Sequence, residues 1–375
     1  MRTQAVIFNF NINKIYLIKY SDIFMTKIAI APMLDWTDQH YRYFMRQITT
    51  CTELYTEMIV ADAILHGNIP RLIGYSEIEQ PLVIQLGGSN PIKLAQVAKV
   101  CQSYGYSAIN LNVGCPSDRV KSGNFGACLM QNPQLVAECI KSMQDAVTIP
   151  VTVKHRIGLD YCDDYNMVYN FVNTVSAVGC NEFIVHARNA ILHGLSPKQN
   201  REIPPLKYDY VYRLKQDFPQ LKIIINGGIK TIESIYEHLK FVDGVMLGRE
   251  AYYNPFLFAQ VDSLFYNNYS NYNHWNYYNC NNHNYSDINS MDRDIGADSV
   301  TVTSKLSRRD VAENMIGYLE TMQQQNIPLH HITRHMIGLY YGCSQAKLWR
   351  HTLTNEIIKT NSMDTYLHLL SQMMD

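Results

Sequence analysis

The chain lacks a run of about 18 apolar residues, so no transmembrane helix is expected. It also lacks any Cys-x-x-Cys pair among its nine cysteines. An odd number of cysteines without that spacing argues against a disulfide framework, a zinc ribbon or an iron–sulfur cluster. No metal is expected, and a reduced, cytoplasmic setting is the natural one. Neither charge sign dominates: 32 lysines and arginines face 33 acidic residues, for a net charge of −1. No global field therefore draws the chain to a polyanion, and any nucleic-acid reading must rest on local basic patches. Residues 1–24 lack the compact apolar core and small-residue cleavage site of a signal peptide. Met25 precedes TKIAIAPML, which reads as a fresh start, so residues 1–25 are expected to be a dispensable N-terminal extension.

What is present suits one large barrel with an appendage, or two domains, since a domain takes about 100–200 residues. With 375 residues, 47% of them hydrophobic, core burial is not limiting and no covalent staple is needed. One segment is compositionally foreign: between Tyr266 and Asn289, ten of 24 residues are asparagine and six are tyrosine. Such a tract cannot bury enough aliphatic surface to offset its ordering entropy. Interleaved aromatics could stack on single strands, but the tract has no lysine or arginine. Residues 263–305 are therefore expected to be a disordered insertion.

Before that insertion, short apolar runs alternate with helical patterns. The runs are Ile28–Pro32, Leu54–Glu57, Leu82–Gln85, Ala108–Asn112, Val151–Lys154, Glu182–Val185, Lys222–Ile225 and Gly244–Leu247. They mostly do not alternate with polar residues, as expected of parallel strands buried on both faces. Helices are predicted between them, for example over Pro91–Ser103, Pro133–Asp145 and Tyr208–Phe218. Eight βα units in residues 26–262 match a (β/α)8 TIM barrel, which typically takes about 250 residues. A doubly wound sheet is the alternative, but it would normally carry an early Gly-x-Gly-x-x-Gly, which is absent. Helical spacing returns in Ser307–Gln325, His330–Gly342, Ser344–Lys359 and Met363–Met373, so residues 306–375 read as a small helical C-terminal domain.

In a barrel of this kind, function sits at the C-terminal ends of the strands. Seven of the eight ends are polar here, among them Gln85, Asn110 to Cys115, Lys154 to Arg156, His186 to Arg188, Asn226 to Gly228 and Gly248 with Arg249. Such a ring implies a large polar ligand over the barrel mouth. Asn226, Gly227 and Gly228 end the seventh strand, and Gly248 and Arg249 end the eighth. Their glycines let backbone N–H groups approach an anion, and Arg249 could complete a phosphate pocket. Lys154, His186 and Gln85 suit the electron-rich edge of an aromatic cofactor.

Cys115 closes an Asn-Val-Gly-Cys-Pro turn at the fourth strand end. With no histidine beside it in sequence, a nucleophilic pair would need a spatial partner. A proton-donor role is equally open, because an ordinary thiol is mostly protonated at neutral pH. In the C-terminal region, Lys347-Leu348-Trp349-Arg350 forms a basic-aromatic cluster suited to an RNA backbone, or else a solvated helix face with a core tryptophan.

These motifs resemble those of tRNA-dihydrouridine synthases. They are APMLDWTD (31–38), YTEM (55–58), QLGG (85–88), NLNVGCPSDRV (110–120), VTVKHRIG (151–158), HAR (186–188), NGGI (226–229) and GREAYYNP (248–255). GLSPKQNREIPPL (194–206) and HITRHMIGL (331–339) are similar to the A subfamily, which acts on U20 and U20a of the tRNA D-loop. The resemblance covers roughly residues 26–262 and 306–358. It implies an FMN-dependent enzyme with NADPH as reductant, in which hydride reaches C6 of uracil and a cysteine protonates C5. By that resemblance Cys115 is the proton donor, and Pro32, Met33 and Leu34 line the flavin. Gln85, Lys154 and His186 contact its rings, while Asn226, Gly227, Gly228, Gly248 and Arg249 hold its phosphate. Contacts to tRNA are implied at Asn112, Lys198, Arg201, Lys347 and Arg350, which makes residues 306–375 the tRNA-binding domain. Lys347 stands where related sequences often carry arginine, which keeps charge but loses bidentate geometry. No membrane partner is expected, and the chain is expected to be a monomer. Two other readings stay open: an FMN barrel acting on a free pyrimidine, and a tRNA-binding folding factor.

Overall fold

The structure, a computed structural model, describes residues 26–162, 164–265 and 306–374, together with two short strands, Ala5–Phe8 and Tyr16–Lys19. Those two strands pair antiparallel with each other and contribute nothing to the main sheet. The rest of the N-terminal extension and the whole Asn/Tyr tract lie outside the described residues.

Eight strands make the main sheet: β1 (Lys27–Ile30), β2 (Leu54–Val60), β3 (Leu82–Gly87), β4 (Ala108–Val113), β5 (Val151–Arg156), β6 (Glu182–His186), β7 (Lys222–Asn226) and β8 (Gly244–Leu247). Each pairs in parallel with its sequence neighbour from β2 through β8, and β8 pairs with β1. A bridge between Ala29 and Glu53 joins β1 to the start of β2. There Ile30 N–H donates to the Glu53 carbonyl and Glu53 N–H to the Ile28 carbonyl, both at 3.0 Å. The sheet thus curls into the (β/α)8 barrel that the sequence implied.

The intervening helices start where local chemistry says they should. Asn90 and Asn132 cap the helices Pro91–Ser103 and Pro133–Ala146, accepting the N–H of Lys93 and Leu135, with proline as the first helical residue in each. Their apolar faces pack on the outside of the barrel in one continuous core. A second, smaller cluster fills the inside: Ala29, Ala31, Tyr55, Val83, Ala108, Ile184, Ile224 and Met246. Below it, Lys27 bridges Glu53 at 3.0 Å and Glu182 at 2.7 Å. Burial alone would lower its pKa, but the two carboxylates more than offset that and hold it well above the ordinary lysine value.

Successive side chains on a strand point to opposite faces. Above the inner apolar layer, the inward positions become polar: Val83 is followed by Gln85, Ala108 by Asn110 and Asn112, Ile184 by His186, and Ile224 by Asn226. On β5 the same face carries Thr152, Lys154 and Arg156. His155, between the last two, points outward instead, with its ring against Phe171 and Phe183.

The C-terminal helices, from Arg308–Asn314 to Met363–Gln372, pack around the fully buried Trp349 and Tyr366. Trp349 Nε1 donates to the Met336 carbonyl at 2.8 Å, and Tyr366 Oη to the Ala312 carbonyl at 2.8 Å. Contacts from Asp38, His40 and Tyr253 are among those that fix this bundle to the barrel. Asp38 accepts Arg334 Nη2 at 2.7 Å and lies 3.0 Å from His335 Nε2. His40 meets the Tyr318 hydroxyl at 2.7 Å. Gly338 packs so closely on Tyr253 that an added Cβ would lie 2.6 Å from its carbonyl oxygen. Among the described residues, no helix is long and apolar enough to cross a membrane.

Candidate active site

A chain of side-chain amides rings the inner wall of the barrel mouth. Gln85 Nε2 donates to Asn110 Oδ1 at 2.8 Å, and Asn110 Nδ2 donates to Thr152 Oγ1 at 2.9 Å. Asn112 Nδ2 donates back to Gln85 Oε1 at 2.8 Å. On the opposite wall, Lys154 Nζ donates to Asn226 Oδ1 at 3.1 Å, and Asn226 Nδ2 to the Met246 carbonyl at 2.7 Å. Each of these polar groups is thus oriented by a side chain or carbonyl on another barrel strand.

Cys115 sits in the turn that leaves β4. Asn112 Oδ1 accepts both Gly114 N–H (3.1 Å) and Cys115 N–H (2.9 Å), and the Cys115 carbonyl accepts Ala127 N–H at 2.9 Å. The thiol lies 3.4 Å from Ser117 Oγ. Arg156 supports the turn from behind: its Nε donates to the Gly114 carbonyl at 3.1 Å. Its Nη1 reaches the carbonyls of Asn189 (3.2 Å) and Asn200 (3.1 Å), tying the loop after β6 to the cysteine turn.

The site is cationic. Burial pushes Lys154 down to about 7, and Arg156 adds to the effect, whereas Cys115 opposes it. Burial likewise pushes Arg156 down to about 9. His186 is held well below the ordinary histidine value by burial and then by Arg156, Lys154, Arg188 and Arg201, so its ring is neutral at physiological pH.

A cradle opens above β7. Gly227 (φ +117°) and Gly228 (φ +75°) both have backbone conformations that favour glycine. An added Cβ at Gly227 would lie 2.6 Å from the His186 ring and 3.1 Å from Leu206; at Gly228 it would lie 2.9 Å from the Tyr208 hydroxyl. Tyr208 Oη donates to the Gly227 carbonyl at 2.7 Å. Beside it Arg188 has Nε and Nη1 buried without a hydrogen-bond partner. Arg249 is different: its Nη1 pairs with Glu202 at 2.5 Å and its Nη2 reaches the Arg201 carbonyl at 3.4 Å. Gly248 caps the short helix that begins at Arg249.

At the rim, Pro32 and Met33 are half-buried and Leu34 is exposed. Met33 N–H donates to Thr37 Oγ1 at 3.0 Å, which fixes the loop, and Trp36 stacks on Tyr252 with ring centroids 4.3 Å apart. Lys198, Arg201, Lys347 and Arg350 are all solvent-exposed. Trp349 is not: it is the core tryptophan of the C-terminal helices, so the basic-aromatic cluster reduces to its two cations.

The structure brings together Gln85, Asn112, Cys115, Lys154, His186 and Asn226 to Gly228 over one barrel mouth. Arg156 and Arg188 were counted among the polar strand ends of the sequence but given no role, and Glu202 and Tyr208 were not singled out. Arg156 shares the inward face of Lys154, two residues before it on β5, whereas Arg188 lies in the turn just beyond β6. Glu202 comes from the long loop after β6, whose path no periodicity reveals, and Tyr208 opens the helix Tyr208–Asp217 that follows it.

A thiol fixed beside a wall of amides, with a pair of glycines and one arginine that has two unpartnered nitrogens, suits a planar polar ligand with an anionic end. Comparison with known proteins identifies the chain's relatives. A chain from Synechocystis sp. named tRNA-dihydrouridine(20/20a) synthase is 49% identical over 339 residues, covering 90% of this chain and 92% of that one. Proteins of the same name from Shewanella oneidensis and Escherichia coli are each 49% identical. They match 89% and 90% of this chain, and 90% and 88% of their own lengths. The dihydrouridine synthase (Dus) profile matches residues 29–373, which takes in every strand end described above and the C-terminal helices, so the chain belongs to the dihydrouridine synthase family.

Proposed function

We propose that this chain reduces the C5–C6 double bond of uridine to dihydrouridine in the tRNA D-loop, at U20 and U20a, with FMN bound over the barrel mouth and NADPH as reductant. The observation that carries the reading is the Asn112 amide, which fixes the Cys115 turn and at the same time bonds Gln85. A proton donor and a group facing the cofactor edge are thereby held by one side chain. The substrate and the two positions are those in the names of the chain's relatives, and they support this reading.

The residues present fit FMN. The Gly227–Gly228 cradle leaves no room for a Cβ, and Arg188 offers two buried nitrogens with no protein partner. Pro32, Met33 and Leu34 would line the flavin, Gln85 and Lys154 would donate to its ring edge, and neutral His186 would add a further contact. Asn226, Gly227, Gly228, Gly248 and Arg249 would surround its phosphate. When bound and reduced by NADPH, FMN supplies the hydride for C6.

The chain's own groups do the rest. Cys115 holds a proton on Sγ for delivery to C5, and Arg156 and Asn112 keep its turn rigid. The target uridine must leave its stack to reach this depth. Asn112 lies beside the cysteine where that base would enter, and exposed Lys198, Arg201, Lys347 and Arg350 would hold the tRNA backbone as the base is displaced. Residues 306–375 act on this reading as the tRNA-binding region of a monomeric enzyme.

Cys115→Ala tests the assignment. Flavin and tRNA binding should persist while dihydrouridine formation falls by about 10²–10⁴-fold, the usual worth of a positioned proton donor. Near-normal turnover in that variant would overturn the role of Cys115. Turnover on free uridine or orotate in place of tRNA would favour a free-pyrimidine enzyme, and a colourless protein that still bound tRNA would favour a folding factor.

A further inference from the structure

We infer that Arg188, not Arg249, is the principal cationic ligand of the cofactor phosphate, and that Glu202 neutralises Arg249 and so sets this division of labour. The inference rests on the reading of the mouth as an FMN site and adds to it a residue and a counter-ion.

Three observations converge on Arg188. First, it lies in the turn that leaves β6, directly after His186, whose ring faces Gly227. That turn is fixed by Arg188 N–H, which donates to the His186 carbonyl at 2.7 Å. Second, its Nε and Nη1 are both buried and neither has a hydrogen-bond partner. A guanidinium with two orphaned N–H groups is costly unless something accepts from them. Each of these N–H groups can donate a charge-assisted hydrogen bond to an anion. Third, the groups that bear on its charge are those of the cradle: Tyr208, Arg249 and Glu202. Tyr208 in turn bonds the Gly227 carbonyl and lies against Gly228.

Arg249 contrasts on every count. It already has a carboxylate partner in Glu202, and its remaining reach goes to the Arg201 carbonyl. A phosphate drawn to Arg249 would have to displace Glu202 or share the guanidinium with it, and the shared arrangement sets two anions side by side. Arg188 has no carboxylate paired with it, so it can meet a group carrying about −1.5 to −2 charge without competition.

The test compares FMN with riboflavin, which differ only in the phosphate. Full-length protein stripped of flavin is titrated with each, following quenching of flavin fluorescence. Wild type should prefer FMN. Arg188→Met should weaken FMN by roughly 10- to 100-fold, as for a lost charge-assisted pair, while riboflavin changes by less than about twofold. Arg249→Met should weaken FMN less than Arg188→Met does, and Glu202→Gln should leave FMN binding as tight or tighter. Arg188→Lys, which keeps charge but loses the fork, should fall between wild type and Arg188→Met, and unchanged riboflavin binding shows that each variant is folded. An undiminished FMN preference in Arg188→Met or Arg188→Lys, or a larger loss in Arg249→Met, overturns the inference while leaving the FMN site intact. A wild-type protein that binds neither flavin, or binds both equally, would instead sink the FMN reading itself.

Discussion

Asn112 accepts the backbone N–H of Cys115 at 2.9 Å with the same side chain that donates to Gln85 at 2.8 Å. The thiol's position is therefore not a property of its own turn alone but of an amide rooted in β4. Asn112→Ala should release the turn and orphan Gln85 Oε1, costing about 1–3 kcal/mol of stability. Its single-turnover rate of dihydrouridine formation should drop by at least about tenfold with flavin absorbance retained, since misplacing a reacting group by about 1 Å can cost 10²-fold. A rate equal to wild type would show that the turn holds Cys115 unaided.

Gly227 faces the His186 ring and Leu206 in a backbone conformation that a β-branched side chain rarely adopts. Gly227→Val should both lower the melting temperature and yield colourless protein. Flavin content per folded molecule is the deciding quantity. Wild-type occupancy in the folded fraction would mean that the cradle is not where the cofactor lies.

Lys154 gives a pH signature. In flavin-free protein its pKa is lowered from 10.5 to about 7, by burial first and Arg156 second. Between those values the unfolded chain binds a proton that the folded chain does not, so this group makes flavin-free stability rise with pH across that window. An electron-rich ring edge accepting from Nζ favours the ammonium form and raises that pKa. Flavin binding above about pH 7 should therefore take up a proton, and affinity should weaken as pH rises. Titration calorimetry in two buffers of different ionisation enthalpy reads the proton directly, and Lys154→Met should abolish it. Equal heats in both buffers for wild type would exclude the coupling.

Lys347 and Arg350 are exposed on the C-terminal helices. If both meet tRNA phosphates, Lys347→Ala with Arg350→Ala should weaken tRNA binding most at low salt. The slope of log affinity against log salt should shrink by somewhat under one unit per lost contact. Flavin reduction by NADPH should stay unchanged. An unaltered salt slope would place the tRNA elsewhere.

Most of the barrel was legible because β3 to β8 are runs such as LVIQLG and KIIIN, apolar on both faces until the strand ends turn polar. The inward polar set, from Gln85 to Asn226, followed from that change in polarity. Arg156 and Arg188 were legible as polar strand ends but not in their roles: the bonds of Arg156 to the Gly114, Asn189 and Asn200 carbonyls and the turn that holds Arg188 beyond β6 are tertiary. Trp349 could not be read at all. A tryptophan flanked by a lysine and an arginine looks the same whether it faces RNA or a core, and only the tertiary partners Met336 and Tyr366 decide. Nor did periodicity reveal the π-helical turn Thr352–Glu356, which interrupts what reads as one continuous helix.

Asp38 has a consequence for how the chain is made. It caps the first helix after β1, yet its partners Arg334 and His335 lie 296 and 297 residues downstream. A ribosome extends the chain at roughly 5–20 residues per second. For tens of seconds the emerging barrel therefore holds an aspartate whose partners do not yet exist. Contacts of such sequence separation form slowly, because the entropy lost in closing the loop comes before the contact can offset it. The Asp38 latch therefore cannot close until all eight barrel strands have been made.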